Sequence, residues 1–384
     1  MQASQNSHMI SSMTHRALVF ATLVLLTGTL AGCVAEPPTA PTAAPTAPPT
    51  ITATPDVPTP TTRFDLDCDS LASTATVAAF ISEPIEKQDP LGNYSEQSPE
   101  LPRLTFIEAM GGLVCDWSNG TSSFSASGIP GPPYVGASVM ILPEADAQFA
   151  KFQAVQRPTT ELQCSASGQG CVFDVLVNGY WLSVQMQGVV FNDTTSDAPP
   201  TLVSEFINAI DSLVSALAVP APRWSPPTGT VALGTDCESI ISASEVQSAL
   251  ALTDEPSVER PGGGWSIWAG ATVESGGGRC SWSTSDGGVY YGGISWLPAG
   301  AWAAEKQLPG TTIPSAVSPV AIPSLTSTDR AFVRCESDDS FCVVDLIISG
   351  NWVQVQSNAT SGESLTAHDR AVALAGVIAT RINS

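Results

Sequence analysis

The nine cysteines of this 384-residue chain fall as one, then four, then four: Cys33 alone, then Cys68, Cys115, Cys164 and Cys171, then Cys237, Cys280, Cys335 and Cys342. The residues around them repeat too. Cys68-Asp69-Ser70-Leu71 parallels Cys237-Glu238-Ser239-Ile240, Cys115-Asp116-Trp117-Ser118 parallels Cys280-Ser281-Trp282-Ser283, and residues 171–185 align without a gap with 342–356. Three matched blocks in the same order mean one unit present twice. Four cysteines per copy allow three connectivities. Six residues separate the last two cysteines of each set, and this spacing favours a local bond between Cys164 and Cys171 and another between Cys335 and Cys342. Cys68 would then pair with Cys115, and Cys237 with Cys280. On a chain-entropy estimate the short loops contribute about 2.5 kcal/mol each and the long ones about 4 kcal/mol.

The lone Cys33 closes Leu30-Ala31-Gly32-Cys33, after an apolar run of 14 residues, 17–30, that follows Arg16. Such a run is shorter than the roughly 20 residues of a membrane-spanning helix. With small residues before the cysteine it has the form of a processed leader. Residues 1–32 are therefore expected to be a lipoprotein signal peptide. Cys33, by resemblance to the bacterial lipobox, is expected to be acylated and to anchor the chain on the outer face of the cytoplasmic membrane. Residues 33–62, nearly all Pro, Thr and Ala after the first few, are expected to form a disordered stalk. In polyproline II it could extend to roughly 90 Å.

Beyond the stalk lie the first module, 63–219, a Pro-rich linker, 220–232, and the second module, 233–384. Ser242 with Glu245 fits a capping box, and Ser73 occupies the matching position. Asn178-Gly179 between two apolar runs signals a two-residue hairpin, with Ser349-Gly350 at the same place in the second copy. Helical spacing of Val203, Phe206, Ile207, Ile210 and Val214 closes the first module, and Ala371, Val372, Ala375, Ile378 and Ile382 close the second. Each module is thus expected to be α+β, an antiparallel sheet with helices packed on one face. About 150 residues per copy are enough for a core of its own.

The lipobox, the Pro/Thr stalk, the Cys-x-x-(Leu/Ile) helix at Cys68 and Cys237 and the Cys-x-Trp strand at Cys115 and Cys280 resemble actinobacterial envelope lipoproteins of uncharacterised function. More distantly, they are similar to the extracytoplasmic sensor domains of mycobacterial serine/threonine kinases. The resemblance rests on disulfide and core positions, so it implies a fold and a location and carries no functional residue across.

A formal net charge of −22, shared between −13 in the first module and −9 in the second, repels phosphate backbones and excludes nucleic acid as a partner. Export to an oxidising compartment favours disulfides over metal thiolates, so neither metal nor cofactor is expected. Gly-x-Ser-x-Gly, Ser-x-x-Lys and Walker-type loops are absent. His368, the one histidine after Cys33, sits at a helix start with no partner that would make it a base. Asp65, Asp67 and Asp69 alternate around Cys68 but lack the glycine and closing glutamate of a calcium loop. Asp174 and Asp345 are matched acids whose expected role is structural. The remaining signal is aromatic: Trp265, Trp268, Tyr290, Tyr291, Trp296 and Trp302 crowd the second module, Trp265 and Trp268 in a Gly-rich stretch, and form a candidate platform for a sugar or apolar ligand. The sequence is read as a non-enzymatic binding or sensing lipoprotein for a cell-wall glycan, small ligand or envelope protein. The alternative is an assembly factor acting through protein–protein contacts.

Overall fold

The computed structural model describes residues 58–90, 101–121, 133–156, 160–193, 195–259, 265–307, 317–336, 338–359 and 365–384. The expected signal segment, Cys33 and the expected stalk as far as residue 57 lie outside the described residues.

The first module runs α1 (Cys68–Leu71), α2 (Thr74–Ala78), β1 (Glu86–Gln88), α3 (Leu101–Leu104), α4 (Phe106–Ala109), β2 (Leu113–Ser118) and β3 (Gly136–Leu142), then α5 (Asp146–Gln156), β4 (Gln163–Ser165), β5 (Gly170–Val177), β6 (Tyr180–Gln187) and α6 (Thr201–Ser215). The second runs α7 (Cys237–Ile240), α8 (Ala243–Ala249), β7 (Ser257–Glu259), α9 (Ile267–Ser275), β8 (Gly278–Ser283) and β9 (Tyr290–Leu297), then α10 (Ala301–Gln307), β10 (Ser318–Pro319), β11 (Arg330–Cys335), β12 (Phe341–Ile348), β13 (Asn351–Asn358) and α11 (Ala367–Ile382). The antiparallel sheets have the orders β1-β2-β3-β6-β5-β4 and β10-β11-β12-β13-β9-β8-β7. Apart from the added β10 they share one topology, as the duplication requires. Among the described residues no helix is long and apolar enough to cross a membrane.

Local chemistry explains the matched elements. Asn178 (φ 50°) with Gly179 (φ 82°), and Ser349 (φ 49°) with Gly350 (φ 82°), take the paired positive φ of a type I′ turn and fix the register of β5–β6 and β12–β13. Ser242 and Glu245 close their capping box, and Ser73 accepts from the Thr76 amide. Asp67 accepts from the Ser70 amide at 2.8 Å, opening α1, and Asp236 does the same for Ser239 in α7. Of the alternating acids, Asp67 is committed to the cap and Asp69 is paired to Lys87 at 2.6 Å.

All four favoured disulfides are present: Cys68–Cys115, Cys164–Cys171, Cys237–Cys280 and Cys335–Cys342. The long bonds tie α1 to β2 and α7 to β8. The short ones join residues directly opposite on β4–β5 and β11–β12. One face of each sheet packs under its terminal helix. Val203, Phe206 and Ile210 of α6 meet Trp117, Val139 and Leu182; Leu374 and Ile378 of α11 lie in one core with Trp282, Trp296 and Val353.

The opposite faces are buried as well, against each other. Phe106, Met140, Phe149 and Trp181 of the first module and Ile267, Trp268, Trp302 and Trp352 of the second belong to a single apolar cluster. Helix α9 reaches across to the first sheet: a Cβ on its Gly270 would stand 3.2 Å from Cζ3 of Trp181, so the glycine permits the approach. Beyond α9, Gly277 lies against the Phe106 ring. Each module thus has the core of its own that its length allows, and a further core, not expected from the sequence, lies between them. The described residues of both modules form one compact unit with a third core between two private ones.

The linker is held by both modules. Arg63 donates to the Ala221 carbonyl and pairs with Glu144 at 2.7 Å, while Arg223 joins Glu144 and Glu274, both at 2.9 Å. Hydrogen bonds from Arg63 first, then Arg223, hold the Glu144 carboxyl at about 2. At the far end, the Val231 amide donates to the Ser349 carbonyl and the Asn351 amide donates to the Val231 carbonyl.

Candidate functional site

The face that each sheet turns toward the other module is apolar near the hairpin turns and polar at its opposite end. In the first sheet Gln88, Asp116, Ser138, Gln185, Val172 and Gln163 align as one row across the six strands. The next row holds Val114, Met140, Ser183 and Asp174. Where the two characters meet, beside β4 and β5, a cleft of about 230 Å³ opens, lined by Phe152, Gln156, Glu161, Gln163, Val172, Asp174 and Trp265. Six of these residues belong to the first module, and Trp265 comes from the second, two positions before α9.

Its side chains are held from behind. Trp265 donates its indole N–H to the Gln148 carbonyl at 3.0 Å, and Lys151 Nζ stands 3.4 Å from the centre of its ring. Phe152 packs on Trp181 with ring centres 4.9 Å apart, and Trp181 Nε1 donates to Asp174 Oδ1 at 2.9 Å. Asp174 is half-buried. Burial pushes its pKa up, and the hydrogen bonds from Trp181 and Ser183 offset only part of that rise.

The second module closes the equivalent place. Asp345 is fully buried; its Oδ1 accepts from Trp352 Nε1 at 3.0 Å and Gln354 Nε2 at 2.8 Å, and Arg334 Nε reaches its Oδ2 at 3.3 Å. Arg334 precedes Cys335 as Gln163 precedes Cys164, and Phe332 stands where the first copy has Glu161. Phe332 packs against the shared core. An internal cation and an aromatic ring thus occupy the site that the first copy leaves open.

The exposed aromatic platform expected from sequence is corrected by this arrangement. Trp268 and Trp302 are each 4% exposed in the shared core, and Trp296 is 1% exposed beneath α11, so none is accessible to a ligand. Trp268 belongs to α9 and not to a loop. The signals of that helix, Ser266 capping the Ala269 amide and Gly276 ending it at φ 70°, are masked in the sequence by the surrounding glycines. Tyr290 and Tyr291 are half-buried: the Tyr290 hydroxyl accepts from Gln356, and the Tyr291 ring faces Arg370 at 5.6 Å. Trp265 alone of the six lines the cleft. His368 lies beside Asp369 at 3.5 Å on the first turn of α11, which Thr366 caps. Of the other lining residues, Asp174 is visible in sequence as the acid matched to Asp345, where a structural role is expected, and Gln163 as the mismatch with Arg334 beside otherwise matched cysteines; the rest carry no motif.

Asp116, on the same face, is buried among Tyr134, Ser118 and Ser138. Burial raises its pKa from 3.8 to about 6, against the hydrogen bonds of Tyr134 and Ser118. A raised carboxyl favours the protonated form in the folded state, so its ionisation costs stability as pH rises through about 4 to 6. Asp116→Asn is expected to unfold at higher denaturant than the parent at pH 7.5, by at most about 3 kcal/mol, with the advantage gone by about pH 4. Urea midpoints at both pH values measure it, and a difference that does not change with pH would contradict the assignment.

No family model matches the chain, and at a significant level it matches no curated protein and no solved structure.

Proposed function

We propose that the chain is a lipid-anchored lipoprotein of the cell envelope whose tandem modules bind a small ligand or a ligand side chain, without catalysis, in the cleft of the first module. One observation carries this reading: a duplicated site is open in one copy and filled by its own residues, Arg334 and Phe332, in the other. A site with only a structural purpose would be filled in both. The aromatic wall of Trp265, the apolar floor of Phe152 and Val172 and the polar groups of Gln156, Gln163 and Asp174 make the mix of surfaces that small-ligand sites use. Its volume suits a group the size of one side chain or sugar ring, presented by a wall glycan, a free small molecule or an envelope protein. The lipobox at Cys33 supports the anchor.

The binding claim is tested by thermal melts of residues 58–384 against glycans, amines, lipids and divalent ions, with Gln163→Arg as the closed-cleft control. A ligand that raises the melting temperature of the parent and not of Gln163→Arg supports the reading. A panel with no such ligand counts against it. For the anchor, Cys33→Ser is expected to abolish acyl labelling of the chain and release it from the membrane fraction, and retention of label would contradict it.

A further inference from the structure

We propose that the first-module cleft takes a guanidinium or ammonium group, seated on the Asp174 carboxylate in the place that Arg334 fills in the second module. The proposal rests on the reading of the cleft as a binding site and names the chemistry of its occupant.

The duplication supplies an internal comparison. Trp181 and Trp352 each donate an indole N–H to the first carboxylate oxygen of the matched acid, at 2.9 and 3.0 Å. Ser183 and Gln354, at equivalent positions, add a second neutral donor. The frames therefore agree in the tryptophan donor and in a second neutral neighbour. In the second copy that oxygen receives Arg334 Nε at 3.3 Å, and the pair is sealed, with Asp345 fully buried and Arg334 5% exposed. In the first copy the corresponding residue is Gln163, exposed on the short edge strand β4, and Asp174 is open to the cleft.

Charge runs the same way. Exchanging Arg334 for Gln163 removes the positive charge that faces the matched acid, so Asp174 has no counterpart of the Arg334–Asp345 pair. The surrounding module carries −13, which attracts cations and repels anionic ligands. Lys151 Nζ lies over the Trp265 ring at 3.4 Å, an internal example of the cation–ring contact that this residue makes. A cleft of about 230 Å³ is small for a drug-sized ligand and takes one side-chain head group.

The test follows the Trp265 indole N–H by NMR in residues 58–384 while N-acetyl-arginine amide, N-acetyl-lysine amide, the neutral isostere N-acetyl-citrulline amide and N-acetylglucosamine are added separately. Arginine or lysine amide is expected to shift that resonance saturably, with citrulline amide at least tenfold weaker. Asp174→Asn is expected to weaken the cationic probes at least tenfold and Gln163→Arg to abolish them, with both variants folded by their melting transitions. A short Arg-containing peptide binding tighter than the single amide would assign the group to a protein partner, and equal affinity would assign it to a free amine; either supports the proposal. Citrulline amide or the sugar binding as well as the arginine amide, with no loss in Asp174→Asn, would overturn the cation while leaving the binding site in place. No response of Trp265 to any probe would overturn both.

Discussion

Arg334→Ala is expected to lower the unfolding free energy by about 3–5 kcal/mol, because it leaves the fully buried Asp345 without its counter-charge. The remaining donors, Trp352 and Gln354, both reach the same oxygen, so the second is stripped of its cation with no route to bulk water. The equivalent change in the first copy, Gln163→Ala, touches an exposed residue on a strand of three and is expected to shift stability by no more than about 0.5 kcal/mol. Asp345→Asn in the Arg334→Ala background is expected to recover part of the loss, since a neutral amide carries no desolvated charge. Urea midpoints of the four proteins under oxidising conditions measure this. A loss below about 1 kcal/mol in Arg334→Ala would mean that the pair does not seal the second cleft.

The second large effect concerns the halves. Residues 63–219 alone, with both disulfides formed, are expected to lose cooperative unfolding, bind hydrophobic dye and show weak near-ultraviolet dichroism. Removing the second module takes α9 off the first sheet and uncovers Phe106, Met110, Met140 and Trp181. Exposing a large apolar side chain costs about 1.5–3 kcal/mol, so four such exposures approach the roughly 5–15 kcal/mol by which a domain is stable. The disulfides do not compensate: both lie in the core under α6 or at the β4–β5 edge, away from the uncovered face. An isolated half with a sharp transition and native-like dichroism would show that the private core suffices.

What the sequence revealed and what it concealed follow from the range of the interactions. The disulfide pairs, the Asn178-Gly179 and Ser349-Gly350 turns, the Ser242 cap and the stripes of α6 and α11 are set by residues a few positions apart, and each is legible. The shared core is built from partners far apart in sequence, such as Trp181 with Gly270, and no local pattern announces it. One signal was present. Residues 136–142 read Gly-Ala-Ser-Val-Met-Ile-Leu and 180–184 read Tyr-Trp-Leu-Ser-Val, so neither run shows the apolar–polar alternation of a sheet with one wet face, and both are buried throughout. Both faces had to be covered: the terminal helix covers one, and the other module covers the second. The cleft was harder to read because its polar residues are ordinary individually. Only the substitution of Gln163 for Arg334 against a conserved geometric frame gives them meaning, and that frame appears once Asp174 and Asp345 are seen with their tryptophans.

The claim on which the rest depends is that a repeated unit has been fused through a common core into a single folding body. Differential scanning calorimetry of residues 58–384 tests it most directly. One transition is expected, with calorimetric and van't Hoff enthalpies equal, at roughly 230 kcal/mol near 60 °C for a chain of this size. Two resolved transitions, or a van't Hoff enthalpy near half the calorimetric one, would mean that the modules unfold separately and that the core between them is only an interface.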